Sequence, residues 1–300
     1  MASEALQFII DMFRAMTASR PSPSVDEMRD TWESLASQVP AAPDLRVEQV
    51  LANGVPAAWF VVPEAAADRA VLYLHGGAYV AGSLNTHRDL ITRVGRAARA
   101  RVLGVEYRLA PEDPFPAAVN DAVAAWRWLV SPTGGGVAPR RAAIAGDSAG
   151  GGLTVATLVS LRQSGDPLPA AAACLSPWVD LEGIGPSMTA RAALDPIVSR
   201  DNLVRMGRHY LGGKDPRTPL AAPLYADLTG LPPLLVQVGT AEALWDDAGR
   251  LAERARAAGV DVTLEPWEDM IHAFQAFASV LPEGQQAITR LGEFIVRHTA

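Results

Sequence analysis

Gly146-Asp147-Ser148-Ala149-Gly150 is a Gly-x-Ser-x-Gly pentapeptide that follows the apolar run Ala142 to Ala145 and precedes a segment of helical character, Leu153 to Leu161. A serine hydroxyl attacks a carbonyl well only when a base removes its proton, and a sharp strand-to-helix turn holds such a hydroxyl where both base and substrate reach it. The pentapeptide alone is a weak signal, and its strand-turn-helix setting supplies the specificity. Glycines at 146 and 150 remove the Cβ atoms that would crowd the turn. The Ala149 backbone N–H would open a helix, unpaired and partially positive, as a donor to the oxyanion of a tetrahedral intermediate. A phosphate-cradling loop does not fit, because the Gly-Lys-Ser/Thr ending is missing.

A base and further oxyanion donors must come from elsewhere in the chain. His75-Gly76-Gly77-Ala78-Tyr79 directly follows the apolar run Ala70 to Leu74, the position of an HGGG-type loop, so Gly76 and Gly77 are the expected donors and His75 is expected to orient the loop. Five histidines are present, His75, His87, His209, His272 and His298. The chain order nucleophile, acid, base leaves His272 and His298, and His272 is expected because it follows the last apolar core run, whereas His298 lies in the final three residues.

The elements that would position these groups can be read from periodicity. Two helices come first, the second opening near Ser24, and a Pro-rich stretch from Val39 to Pro43 separates them from the rest. Residues 1–44 are expected to form an N-terminal helical cap. Leu45 to Leu51 and Pro56 to Val62 flank Asn53-Gly54, a hairpin signal. Six apolar runs without alternation follow, Ala70 to Leu74, Val102 to Val105, Ala142 to Ala145, Ala171 to Leu175, Leu234 to Val238 and Val262 to Leu264. Helical segments separate most of them, at Thr86 to Arg99, Pro116 to Val130, Ala149 to Gln163, Ala243 to Ala258 and Glu283 to Arg297. This pattern predicts an α/β fold with a mostly parallel eight-stranded sheet covered on both faces, spanning 45–300. Residues 179–220 break the rhythm and are expected to contribute to the cap.

The bulk numbers exclude several function classes. With 26 Lys and Arg against 33 Asp and Glu, the net charge is -7, which argues against the basic surface that nucleic-acid binding needs. The lone Cys174 sits in an apolar run and permits neither an intrachain disulfide nor a Cys-based metal site. Leu6, Ile9, Ile10 and Phe13 form one stripe of an amphipathic helix, Glu4 and Asp11 interrupt the segment, and no basic region precedes it. A signal peptide is not expected, nor is a membrane span, which needs roughly 18 to 20 apolar residues. The expected location is cytoplasmic.

With the His75 to Tyr79 loop, Tyr107-Arg108-Leu109-Ala110-Pro111-Glu112, the Gly146 to Gly150 turn and Ser176-Pro177-Trp178 in place, nearly the whole chain resembles the hormone-sensitive-lipase-like family of bacterial esterases, of the α/β-hydrolase fold. The loop Asp269 to Phe274 is similar to the family's histidine loop. Matching Leu244 and Asp246-Asp247 to the family's acid segment puts Glu242 where aspartate is commoner, with Asp246 or Asp247 as alternatives if the register differs. The resemblance thus implies a triad of Ser148, Glu242 and His272. Many members have a third glycine at Ala78, a change expected to be tolerable if that residue keeps a common backbone conformation. Arg108 and Glu112 are expected to form internal hydrogen bonds.

The implied reaction is hydrolysis of short- to medium-chain acyl esters through an acyl-enzyme, with a small-molecule ester as partner and neither metal nor cofactor required. Tyr79, Trp178, Met206 and Tyr210 are candidates for an apolar substrate pocket. The resemblance also implies a possible homodimer through the last sheet edge. A lactone hydrolase, deacetylase or formamidase could use the same triad. The rival from another class is a non-catalytic ligand-binding module, like the plant gibberellin receptors similar to this family.

Overall fold

The computed structural model describes residues 3–19 and 22–300, so positions 1, 2, 20 and 21 of the expected cap lie outside the described residues. α1 (Glu4–Ser19) and α2 (Val25–Ser37) precede the sheet. α2 begins where the sequence signals it: the Ser24 hydroxyl accepts from the Glu27 N–H and the Glu27 carboxylate accepts from the Ser24 N–H, a reciprocal cap.

β1 (Arg46–Ala52) and β2 (Val55–Val61) form the hairpin, with Asn53 at φ +52° and Gly54 at φ +88°, the left-handed pair that a two-residue turn requires. The chain then runs β3 (Ala66–Leu74), α3 (Arg88–Ala98), β4 (Ala100–Val105), α4 (Ala117–Val130), β5 (Ala142–Asp147), α5 (Ala149–Ser164) and β6 (Ala171–Leu175). Two helices of the 179–220 insertion follow, α6 (Ser187–Ala190) and α7 (Arg200–Leu211), then β7 (Leu234–Gly239), α8 (Trp245–Ala257), β8 (Val262–Trp267) and α9 (Pro282–His298). The sheet has eight strands in the order β1-β2-β4-β3-β5-β6-β7-β8, parallel from β4 through β8 with β1 and β2 antiparallel.

The unbroken apolar runs are explained by helices on both faces. Leu72, Leu74, Ile144, Cys174 and Val236 point into a core shared with α4, α5 and α8, whereas Val71, Tyr73, Ala143, Ala145, Ala173 and Leu235 point into a second core shared with α3 and α9. Successive strand residues face opposite sides, so a strand covered on both needs an apolar residue at every position. Cys174 lies in this interior, where burial raises its thiol pKa. A third, smaller cluster packs Leu6 and Ile9 of α1 against Met270, Ile271 and Phe274, on either side of His272. No helix among the described residues is long and apolar enough to cross a membrane.

Candidate active site

Four loops leave the C-terminal ends of β3, β5, β7 and β8, the edge at which parallel sheets of this kind present ligand sites. Ser148 stands between β5 and α5 at φ +53° and ψ -119°, a conformation costing on the order of 1–3 kcal/mol for a residue with a Cβ. The turn is tied down by its backbone: the Ser148 N–H donates to Leu175 O at 2.8 Å, and Ser148 O accepts from the Trp178 N–H at 2.9 Å. Its flanks close only around glycine. A Cβ on Gly150 would lie 1.9 Å from Leu74 O, and one on Gly146 would lie 2.4 Å from Gly150 O.

His272 Nε2 lies 3.0 Å from Ser148 Oγ, and His272 Nδ1 lies 2.7 Å from Glu242 Oε2. A carboxylate only accepts, so Nδ1 carries the proton and Nε2 is left to accept from the serine hydroxyl. Glu242 is fully buried, and its Oε1 accepts from the Gly239 N–H at 2.6 Å and from the Ser176 hydroxyl at 2.8 Å. Ser176 Oγ in turn accepts from the Ala273 N–H at 3.0 Å, binding the acid's turn to the histidine's loop. Burial favours the neutral imidazole, but the hydrogen bond and charge of Glu242, with Asp195 and Asp147 further off, outweigh it and raise the His272 pKa.

The alternative acids do other work. Asp246 Oδ2 accepts from the Ser187 N–H, and Asp247 Oδ2 from the N–H groups of Val179 and Asp180. Both therefore tie α8 to the insertion, and burial pushes the Asp247 carboxyl up to about 7. His298 packs on Phe294 at the far end of α9, with ring centroids 4.5 Å apart.

The loop after β3 differs from expectation in two respects. Gly76 was expected to donate to the oxyanion, but its N–H points inward to Asp147 Oδ1 at 3.1 Å. A Cβ at 76 would sit 2.2 Å from Asp147 Oδ2, so this glycine permits close approach to that carboxylate. The amides of Gly77, Ala78 and Ala149 have no acceptor among the described residues, and neither does that of Tyr79. Ala78 does not keep a common conformation either: it lies at φ +55°, followed by Tyr79 at φ +63°. Asp147 is fixed by the Tyr73 hydroxyl at 2.8 Å and by His87 Nε2 at 3.3 Å. Burial works against its charge, but His87 and Tyr73 outweigh this and lower its pKa. His75 is fully buried, contacts Gly76 O through Nδ1 at 2.8 Å and stacks on Tyr107. Burial and the nearby His87 push its pKa down to about 3, so it is a neutral ring that orients the loop. Arg108 pairs with Asp121, and Glu112 with Arg29 of α2.

The four expected pocket residues lie in the interior of the protein. Tyr79, Trp178, Met206 and Tyr210 are 1–2% exposed. Tyr79 stacks face to face on Tyr210 with centroids 3.7 Å apart and lies 5.9 Å from Trp178. Together they form one apolar cluster in which Met206 and Tyr210 of α7 meet Tyr79 and Trp178 of the loops. Three groups at the centre escaped sequence reasoning. Asp147 and Ser176 lie within motifs that were visible, yet their partners are distant in the chain. Asp195, in the aperiodic insertion, had no local signal at all.

Set against known proteins, residues 71–276 match the alpha/beta hydrolase fold family. The chain is 50% identical to an acetyl-hydrolase of Streptomyces hygroscopicus over 246 residues, 82% of this chain and 81% of that one. An esterase of Acinetobacter venetianus is 33% identical over 279 residues, 93% and 91% of the two chains. The crystal structure of an esterase from the bacterial hormone-sensitive lipase family superposes with a TM-score of 0.96 at 52% identity, covering 100% of both chains. With the strand order, the hydroxyl-imidazole-carboxylate chain and these likenesses together, the protein belongs to the bacterial hormone-sensitive-lipase-like family of α/β-hydrolases, serine carboxylic ester hydrolases.

Proposed function

We propose that the protein hydrolyses short- to medium-chain acyl esters through an acyl-enzyme on Ser148. His272 takes the serine proton as Ser148 attacks the ester carbonyl and returns it to the leaving alcohol, and water activated by the same imidazole then releases the acid. Glu242 holds the imidazole in the required tautomer and stabilises its charged form. The amides of Gly77, Ala78 and Ala149 are assigned to the oxyanion, where one donor contributes roughly 3 kcal/mol to the transition state. The observation carrying this reading is the unbroken hydrogen-bond chain from Ser148 Oγ through His272 to Glu242, at 3.0 and 2.7 Å. That a relative at 50% identity is an acetyl-hydrolase favours small acyl groups. α1, α2 and the 179–220 insertion are assigned to the cap, and a homodimer would use the outer edge of β8.

The test is labelling by a fluorophosphonate probe together with hydrolysis of p-nitrophenyl esters of increasing chain length. Wild type should label and prefer short acyl chains. Ser148→Ala should lose labelling and about 10⁶-fold in kcat. Retained labelling in that variant would refute the assignment, and a preference for lactones or formamides in a wider panel would redirect the substrate class.

A further inference from the structure

Asp195 lies in the insertion, in the segment between α6 and α7, far in sequence from Ser148, Glu242 and His272. It is 7% exposed, and its carboxylate is held by three amides: Oδ1 accepts from the N–H groups of Ile197 and Val198, each at 2.9 Å, and Oδ2 from the Ala243 N–H at 2.8 Å. The first two shape its own loop. The third reaches across to the residue that follows Glu242.

We infer that Asp195 is a positioning residue of the hydrolytic centre, fixing the turn that carries Glu242 and adding a second buried negative charge that acts on the His272 imidazole. This rests on the reading of His272 as general base. All three of its partners are donors, so both oxygens act as acceptors, as befits the ionised form. Burial, aided by the charge of Glu242, leaves its pKa above the ordinary carboxylate value, and the charge of His272 and the bonds from Ala243 and Val198 offset this only in part. The charged groups acting on His272 are Glu242 from the loop after β7, Asp195 from the insertion and Asp147 at the end of β5.

The same loop also touches the N-terminal helix. Arg14 Nη2 donates to Ala193 O at 3.3 Å, and the Thr17 hydroxyl to Pro196 O at 3.5 Å. The insertion is thus a structural member of the acid-base pair as well as a cover, and whatever seats α1 on residues 193–196 also seats a charge near the base.

Asp195→Asn removes that charge at nearly constant volume. A less stabilised imidazolium has a lower pKa and is a poorer intermediate in proton transfer. The acid limb of the kcat/KM profile should therefore move down by about 0.5 to 1 unit, while kcat on the plateau falls roughly three- to thirtyfold with KM little changed. Asp246→Asn is the comparison. It removes a carboxylate charge from a different tie between α8 and the insertion, where the amide oxygen can still accept from the Ser187 N–H, and should leave the limb in place.

A limb that stays put in Asp195→Asn, or moves equally in both variants, overturns the inference. Should Asp195→Asn not fold by near-ultraviolet circular dichroism, Asp195→Ser is profiled instead. Failure of both to fold would assign the residue to the scaffold and overturn the inference too. The two readings separate cleanly: an active Ser148→Ala sinks the proposed mechanism, whereas an inactive Ser148→Ala beside a wild-type limb in Asp195→Asn sinks only this one.

Discussion

Glu242→Gln tests the hydrogen-bond chain at its most sensitive link, because the structure dictates how the new amide must lie. Oε1 of residue 242 accepts from two donors, the Gly239 N–H at 2.6 Å and the Ser176 hydroxyl at 2.8 Å, while Oε2 faces His272 Nδ1 at 2.7 Å. An amide nitrogen in the Oε1 position would oppose both donors, so the carboxamide oxygen takes that place and its NH2 faces the imidazole. Nδ1 must then accept, the ring proton moves to Nε2, and the hydroxyl of Ser148 meets a donor where it needs an acceptor. The fold should survive, since volume and two of the three contacts are preserved. The same inverted tautomer in a serine protease lowers kcat by about 10⁴, equivalent to roughly 5.5 kcal/mol of transition-state stabilisation. We expect a loss of about 10³- to 10⁴-fold in kcat on p-nitrophenyl acetate, with KM nearly unchanged and the circular dichroism spectrum retained. A folded Glu242→Gln within about tenfold of wild type would refute this reasoning and send the search for the acid to Asp195.

Three further outcomes are expected. Gly76→Ala would drive a Cβ to 2.2 Å from Asp147 Oδ2 and displace the loop carrying the amides of Gly77 and Ala78. Its kcat should fall at least about 10²-fold, and a near-normal rate in steady-state assays would show that the Asp147 contact does not position those donors. Ala78→Gly should stabilise by roughly 0.5–1 kcal/mol, because relief of the left-handed strain at φ +55° exceeds the added freedom of the unfolded chain; a lowered Tm in a thermal melt would contradict it. Activity should be lost as pH falls, because only neutral His272 accepts the serine proton. Since the pKa of His272 is raised, the midpoint of the acid limb of kcat/KM should lie above the ordinary histidine value of about 6.5, and a flat profile from pH 4 to 8 would rule the residue out as base.

Local pattern alone determined a great deal here. Apolar runs with no alternation specified strands covered on both faces; Asn53-Gly54 specified the hairpin, and Ser24 with Glu27 the start of α2. The pentapeptide around Ser148 marked its own turn, locally at Gly146, where a Cβ would meet Gly150 O, although the glycine at 150 answers to Leu74 O on the neighbouring strand. Tertiary structure decided which amides of the 76–78 loop remain free, since the Gly76 N–H is claimed by Asp147, 71 positions away. It also decided that Tyr79 and Tyr210 stack together in the core and that Asp195 accepts from the amide next to Glu242. Hydrogen-bond pairing and burial depend on which surfaces meet across the sheet and the insertion. A one-dimensional pattern records the kind of side chain at each position and leaves open which partner will come to face it.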